Sequence, residues 1–152
     1  MWQAPAGAVF AILIEDRRWG FVRFFRGRGM GVMDLVCDSP ALPSFNWKCP
    51  PIKWVFFSFA PDSDSTESVA LGVVPFADVE SEWGPPCYDP PDQIDNCYSI
   101  HRWGMITKTK NESDVREMSQ CRTMTPTALA EFLRERLMSG ELRTFYANER
   151  TA

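Results

Sequence analysis

The chain has 152 residues, 45% of them apolar and 13% aromatic, enough for one domain that buries roughly 70% of the surface its unfolded chain exposes. Its formal charge of −4 has the wrong sign for a generic nucleic-acid or anionic-membrane binder, which needs a positive surface. No apolar run approaches the ~18 residues of a membrane-spanning helix, and the longest, Ala4 to Ile14, lacks the basic start of a signal peptide, so the expectation is a single cytoplasmic domain over 1–152.

The first third reads as β. Ala8 to Glu15 and Phe21 to Arg26 are rich in Val, Ile and Phe, and the short charged segment between them suits a hairpin. Both faces of the first run are apolar, the pattern of a central strand covered on two sides. Gly27-Arg28-Gly29 turns the chain into a third strand, Gly31 to Cys37. The four prolines of 38–51 make that segment a loop, and "IKWVFFSFA", Ile52 to Ala60, is the strongest strand of all. Ser68 to Phe76 follows as a strand in which Gly72 and Pro75 mark an edge, a bulge or an end.

Next, "FADVESEW" suggests one short helical turn, while the prolines of "GPPCYDPPDQ" argue against regular structure. Tyr98 to Thr107 reads as one strand, and Lys108 to Arg122 is too polar to assign. The clear helix is "TPTALAEFLRERLMSG". Thr125 suits the N-cap, Pro126 the first helical position and Gly140 the C-terminal cap. Leu129, Phe132, Leu133 and Leu137 share one face, with Glu131, Arg134, Glu135 and Arg136 outward. A last strand is expected over Leu142 to Tyr146. The fold class is therefore mainly β (α+β): a curved antiparallel sheet or meander with one C-terminal amphipathic helix packed on it.

Charge is unevenly placed. Residues 54–101 contain no Lys or Arg and nine acids, Asp62, Asp64, Glu67, Asp78, Glu80, Glu82, Asp89, Asp92 and Asp95, while the segments on either side are net basic. Gathered on one side, these loop acids would steer a basic partner; dispersed, they would only solvate an aromatic-rich chain or pair with the basic first third. "DSDSTE" at 62–67 fails the EF-hand template, because Glu67 stands at position six, where the loop needs glycine, and no glutamate stands at position twelve.

The five cysteines, Cys37, Cys49, Cys87, Cys97 and Cys121, are odd in number and show no CxxC pair, so reduced thiols are expected and no metal site. A nucleophile–base pair would have to use His101, the one histidine. Cys97 lies about 13 Å along the same strand by strand rise, too far for proton transfer. No phosphate-loop, dinucleotide, nucleophile-elbow or zinc-protease motif occurs, so neither catalytic residues nor a cofactor are expected. Arg17, Arg18, Trp19, Arg23, Arg26 and Arg28 combine basic and aromatic groups as a nucleic-acid surface would, but the arginines are better read as facing solvent or the acids, and no nucleic-acid partner is expected.

In "GAVFAILIEDRRWGFVRFF", Gly7, Val9, Phe10, Ile12, Trp19, Gly20, Phe21 and Val22 resemble the start of the immunity protein 26 family of bacterial polymorphic toxin systems, in which a Gly-x-Val/Ile-Phe-x-Ile strand precedes a charged turn and a Tyr/Trp-Gly-Phe strand. The resemblance is firm over about twenty residues and loose over the following meander and helix, and the proline-rich acidic loop Gly84 to Asn96 departs from it. It implies a mostly β protein that binds and neutralises a cognate toxin, often a nuclease with a basic cleft. The partner-binding surface expected on that reading has Trp83 and Tyr88 as anchors and Glu80, Glu82, Asp89, Asp92 and Asp95 as charge. The alternative is a small-molecule-binding domain or small enzyme with a cleft between sheet and helix.

Overall fold

A computed structural model describes residues 4–27, 29–48, 50–58 and 66–143 of the chain. Its first sheet has the order β10-β4-β3-β2-β1-β5, from strands β1 (Ala8–Glu15), β2 (Arg18–Phe24), β3 (Gly29–Met33), β4 (Ile52–Ser58), β5 (Ser68–Val73) and β10 (Thr123–Met124). All its pairs are antiparallel except β10 on β4, and the sheet is strongly curled into a half-barrel. The fold is mainly β with one long C-terminal helix, as the residue pattern implies.

Period-two alternation explains the two apolar faces. Ile12, Ile14, Val22, Phe24, Met30, Val32 and Phe56 point to one side, where helix α2 (Pro126–Met138) lays Leu129, Phe132 and Leu133 against them. Phe132 meets the rings of Trp54 and Phe56 edge-on, with centroids 5.2 and 5.3 Å away. The helix is capped as its residues suggest. The Thr125 hydroxyl accepts from the Ala128 N–H at 3.0 Å, and Gly140 takes the left-handed conformation at φ +78°. On the opposite face, Ala11, Trp19, Phe21, Met33, Leu35 and Cys37 form a second core, covered by Phe45 and Trp47 of the proline-rich 38–51 loop.

That second face also holds Arg23, which is 1% exposed. The expectation that the arginines of the first third face solvent fails here. Position 23 alternates with Trp19 and Phe21 onto the inner side of β2, and the guanidinium replaces water with protein. It donates to the carbonyls of Trp47, Val74 and Pro75 at 3.3, 2.6 and 2.9 Å, and lies 3.8 Å from the Phe76 ring centre. Arg134 is exposed on α2, as expected, while its Nε and one terminal nitrogen donate to the Ile14 carbonyl at 3.1 and 2.5 Å.

A second, four-stranded sheet has the order β8-β7-β6-β9, from β6 (Cys87–Asp89), β7 (Tyr98–Arg102), β8 (Met105–Thr109) and β9 (Ser119–Gln120). A short helix α1 (Val79–Trp83), capped by the Asp78 carboxylate on the Ser81 N–H at 2.7 Å, leads into it. Three expectations are corrected. The "GPPCYDPPDQ" segment is partly regular, because Cys87-Tyr88-Asp89 fit between Pro86 and Pro90 with all their backbone N–H groups intact. Tyr98 to Thr107 is two strands, folded back on each other at Trp103-Gly104. Leu142 and Arg143 form no strand, although the Arg143 carbonyl accepts from the Val36 N–H; residues 144–146 of that expected strand, like Asp62 and Asp64, lie outside the described residues. No described helix is long and apolar enough to cross a membrane.

Candidate functional site

The two sheets do not close on each other. Between them lies a cleft of about 650 Å³, walled by Phe25, Val55 and Phe57 on the side of the first sheet. Trp83, His101 and Trp103 line the other side. The volume falls within the range of small-molecule sites. Helix α2 packs on the first sheet with Leu129 and Leu133 at 0% exposure, and a smaller groove of about 320 Å³ lies between sheet and helix, bordered by Ile14, Glu15, Thr127 and Arg134.

Strand geometry assembles a polar cluster on the cleft wall. Cys87 and Asp89 are two residues apart on β6 and share a face; His101 on β7 stands directly opposite Cys87. The Asp89 carboxylate and His101 Nε2 are 2.8 Å apart, and the imidazole meets the Phe57 ring edge-on at 5.6 Å. Cys121, just after β9, is drawn in by a 2.7 Å bond from its N–H to the Tyr88 carbonyl. Its sulfur is bonded to that of Cys87. The expectation of reduced thiols is thus corrected for this pair. A separation of 34 residues carries no local signature, and only the parallel pairing of β9 with β6 brings the two together. Cys97 is a free thiol.

The rim of the cleft is apolar and exposed. Trp103, Met105 and Ile106 are 52%, 61% and 62% exposed on the β7–β8 hairpin. Arg102 pairs with Met105 across a two-residue turn in which Trp103 and Gly104 both have positive φ, +52° and +74°. Such turns favour Asn or Gly at the first position. A tryptophan there holds a sparsely populated backbone conformation while leaving half its ring in water.

The residues named from sequence are placed unequally. Trp83 is half-buried, with Arg26 over its ring at 4.8 Å and its ring against Gly104, so it braces the hairpin. Tyr88 packs edge-on against Tyr98. Asp89 faces His101. Asp92 turns back on its own loop, accepting from the N–H groups of Ile94 and Asp95 at 2.8 and 2.9 Å. Asp95 accepts from Lys108 Nζ at 2.8 Å and from the Cys97 N–H at 3.0 Å. Lys108 foremost, then the Cys97 amide, holds the Asp95 carboxyl down to about 2. Glu80 and Glu82, on α1, make no ion pair among the described residues. The structure therefore brings Trp83 and Asp89 to the cleft but ties Asp92 and Asp95 to their own loop and to Lys108 of β8. Trp103, Met105, Ile106 and Cys121 were missed. The Trp-Gly pair is a turn signal that the reading of 98–107 as one strand passed over. Comparison with protein-family models, curated proteins and solved structures finds no match.

Proposed function

We propose that the chain is an immunity protein that binds and neutralises a cognate bacterial toxin, using the β7–β8 hairpin and helix α1 as its contact surface. The observation that carries the reading is the half-exposed Trp103 at a left-handed turn position, with Met105 and Ile106 beside it. A backbone cost kept in order to present a large ring to solvent is what a protein-binding hot spot needs. Helix α1, which carries Glu80 and Glu82 and is capped by Asp78, touches the hairpin through the Trp83 ring against Gly104, and the Asp78 carboxyl is lowered first by the Ser81 backbone N–H, which keeps it anionic. Arg26, Arg102 and Asp89 line the cleft beside the apolar patch, so charges of both signs border it. The resemblance of Gly7–Val22 to the immunity family supports the same reading, and no reaction is assigned to the protein.

Co-expression with the product of the adjacent gene, followed by affinity capture, tests it. Trp103→Asn is expected to cost no more than about 0.5 kcal/mol of stability, because relief of the left-handed backbone offsets lost ring contacts. It should weaken capture roughly thirtyfold, the ~2 kcal/mol of an aromatic hot spot. Unchanged capture by that variant and by Glu80→Lys/Glu82→Lys would remove the surface.

The cleft favours a second reading, a small-molecule site with His101 and Asp89 as its polar groups. A thermal-shift screen of metabolites separates the two: a shift of several degrees supports the ligand site, and a flat screen supports protein binding alone.

A further inference from the structure

We infer that, when its disulfide is reduced, the Cys87–Asp89–His101–Cys121 cluster is a zinc site. The donor atoms of Asp89, His101 and Cys121 lie within 4.8 Å of one another, and Cys87 Sγ is bonded to the sulfur of Cys121. Two thiolates, an imidazole and a carboxylate are four donors of the kinds that Zn²⁺ takes in tetrahedral sites. Ligand distances of 2.0–2.3 Å would draw in the more distant of these donors, while the two sulfurs, once reduced, would move apart beyond bonding distance.

The donors come from rigid positions. Cys87, Asp89 and His101 are in register on paired strands, and Cys121 is fixed by its N–H bond to Tyr88. The Phe57 edge orients the imidazole before any ion arrives, and the Asp89 carboxylate already stands 2.8 Å from its Nε2. The cluster opens onto the cleft, which supplies a route in from solvent.

The chemistry balances. The S–S bond takes two electrons and two protons from a dithiol, which closes to its own disulfide. Zn²⁺ then replaces the two thiol protons, which leave to water. Disulfide and metal are thus alternative ties for the same junction, where the chain crosses from β9 in one sheet to β10 in the other. Disulfides persist in oxidising compartments and thiols in reducing ones, so one junction serves both.

The test is a titration of the full chain with Co²⁺, after reduction by a phosphine and desalting without oxygen. The reduced protein should bind one ion per chain, with thiolate-to-cobalt charge-transfer bands and tetrahedral visible absorption that Zn²⁺ abolishes. The oxidised protein should show neither. Cys121→Ser should lose about half of the thiolate band intensity per bound ion and bind at least tenfold more weakly, as should His101→Ala, and Cys97→Ser should behave as the parent. If Cys121→Ser does not fold, alkylation of the parent read by peptide mass spectrometry replaces it: zinc should protect Cys87 and Cys121 and leave Cys97 open. An absent tetrahedral spectrum, binding indifferent to His101→Ala, equal binding by the oxidised chain, or alkylation of Cys87 and Cys121 unaffected by zinc each overturns the site.

Discussion

Arg23 shows how one side chain can tie distant segments together. Its guanidinium joins the 38–51 loop, through the Trp47 carbonyl, to the end of β5, through Val74 and Pro75. Burial pushes its pKa down, and no carboxylate contacts it among the described residues; carbonyl dipoles and the faces of Trp47 and Phe76 stabilise the charge instead. Arg23→Ala is expected to destabilise the chain by about 3–5 kcal/mol, since it removes a buried network and leaves a cavity; urea unfolding measures this. The Asp95–Lys108 pair makes a different statement. The Asp95 carboxyl is held at about 2 against an ordinary 3.8, so its contribution is complete above 3.8 and is lost as pH falls through about 2. The Asp95 hydrogen bond raises Lys108 above its ordinary 10.5, so that contribution is complete below 10.5 and is lost as pH rises past the raised value. The 92–97 loop should therefore stay closed across the whole range between, with Cys97 amide exchange accelerating only outside it. Lys108→Met should move the Asp95 titration upward toward 3.8, followed by NMR.

At the level of elements, the short pieces depend on their neighbours. Helix α1 has five residues, far too few to persist alone. It survives because Asp78 caps it, the Arg26 N–H donates to the Glu82 carbonyl at 2.7 Å, and Gly84 ends it against Phe25. Gly84 has φ +71° and ψ −178°, a region open essentially to glycine alone, and a Cβ there would meet the Phe25 ring at 2.7 Å. Gly84→Ala should cost about 2–4 kcal/mol in thermal or urea unfolding, the sum of backbone strain and overpacking. Such dependence explains why elements were unequally legible. Ala8–Glu15 and Pro126–Met138 were readable to the residue, because long periodic runs and a Thr-Pro cap carry their own signal. The strand β6 was not. Three residues between prolines have no period, and they become a strand only because β7 and β9 offer partners on both sides.

Across the whole molecule, the two sheets are built differently. Both apolar clusters belong to the first sheet and its coverings, α2 and the 38–51 loop. The second sheet buries little beyond Cys87 and Ile100, so covalent or metal ties at Cys87 and Cys121 weigh more heavily there. Where the sheets diverge they leave the cleft, and the hairpin carrying Trp103 stands at its edge. By itself, the sequence determined the apolar strands, the capped helix, the β class and the acidic middle, because each is written in neighbouring residues. Only the tertiary structure decided that Arg23 is buried, that Lys108 pairs with Asp92 and Asp95, and that Cys87, Asp89, His101 and Cys121 meet. Those outcomes rest on contacts between residues up to 52 positions apart, which strand pairing creates and local pattern does not contain.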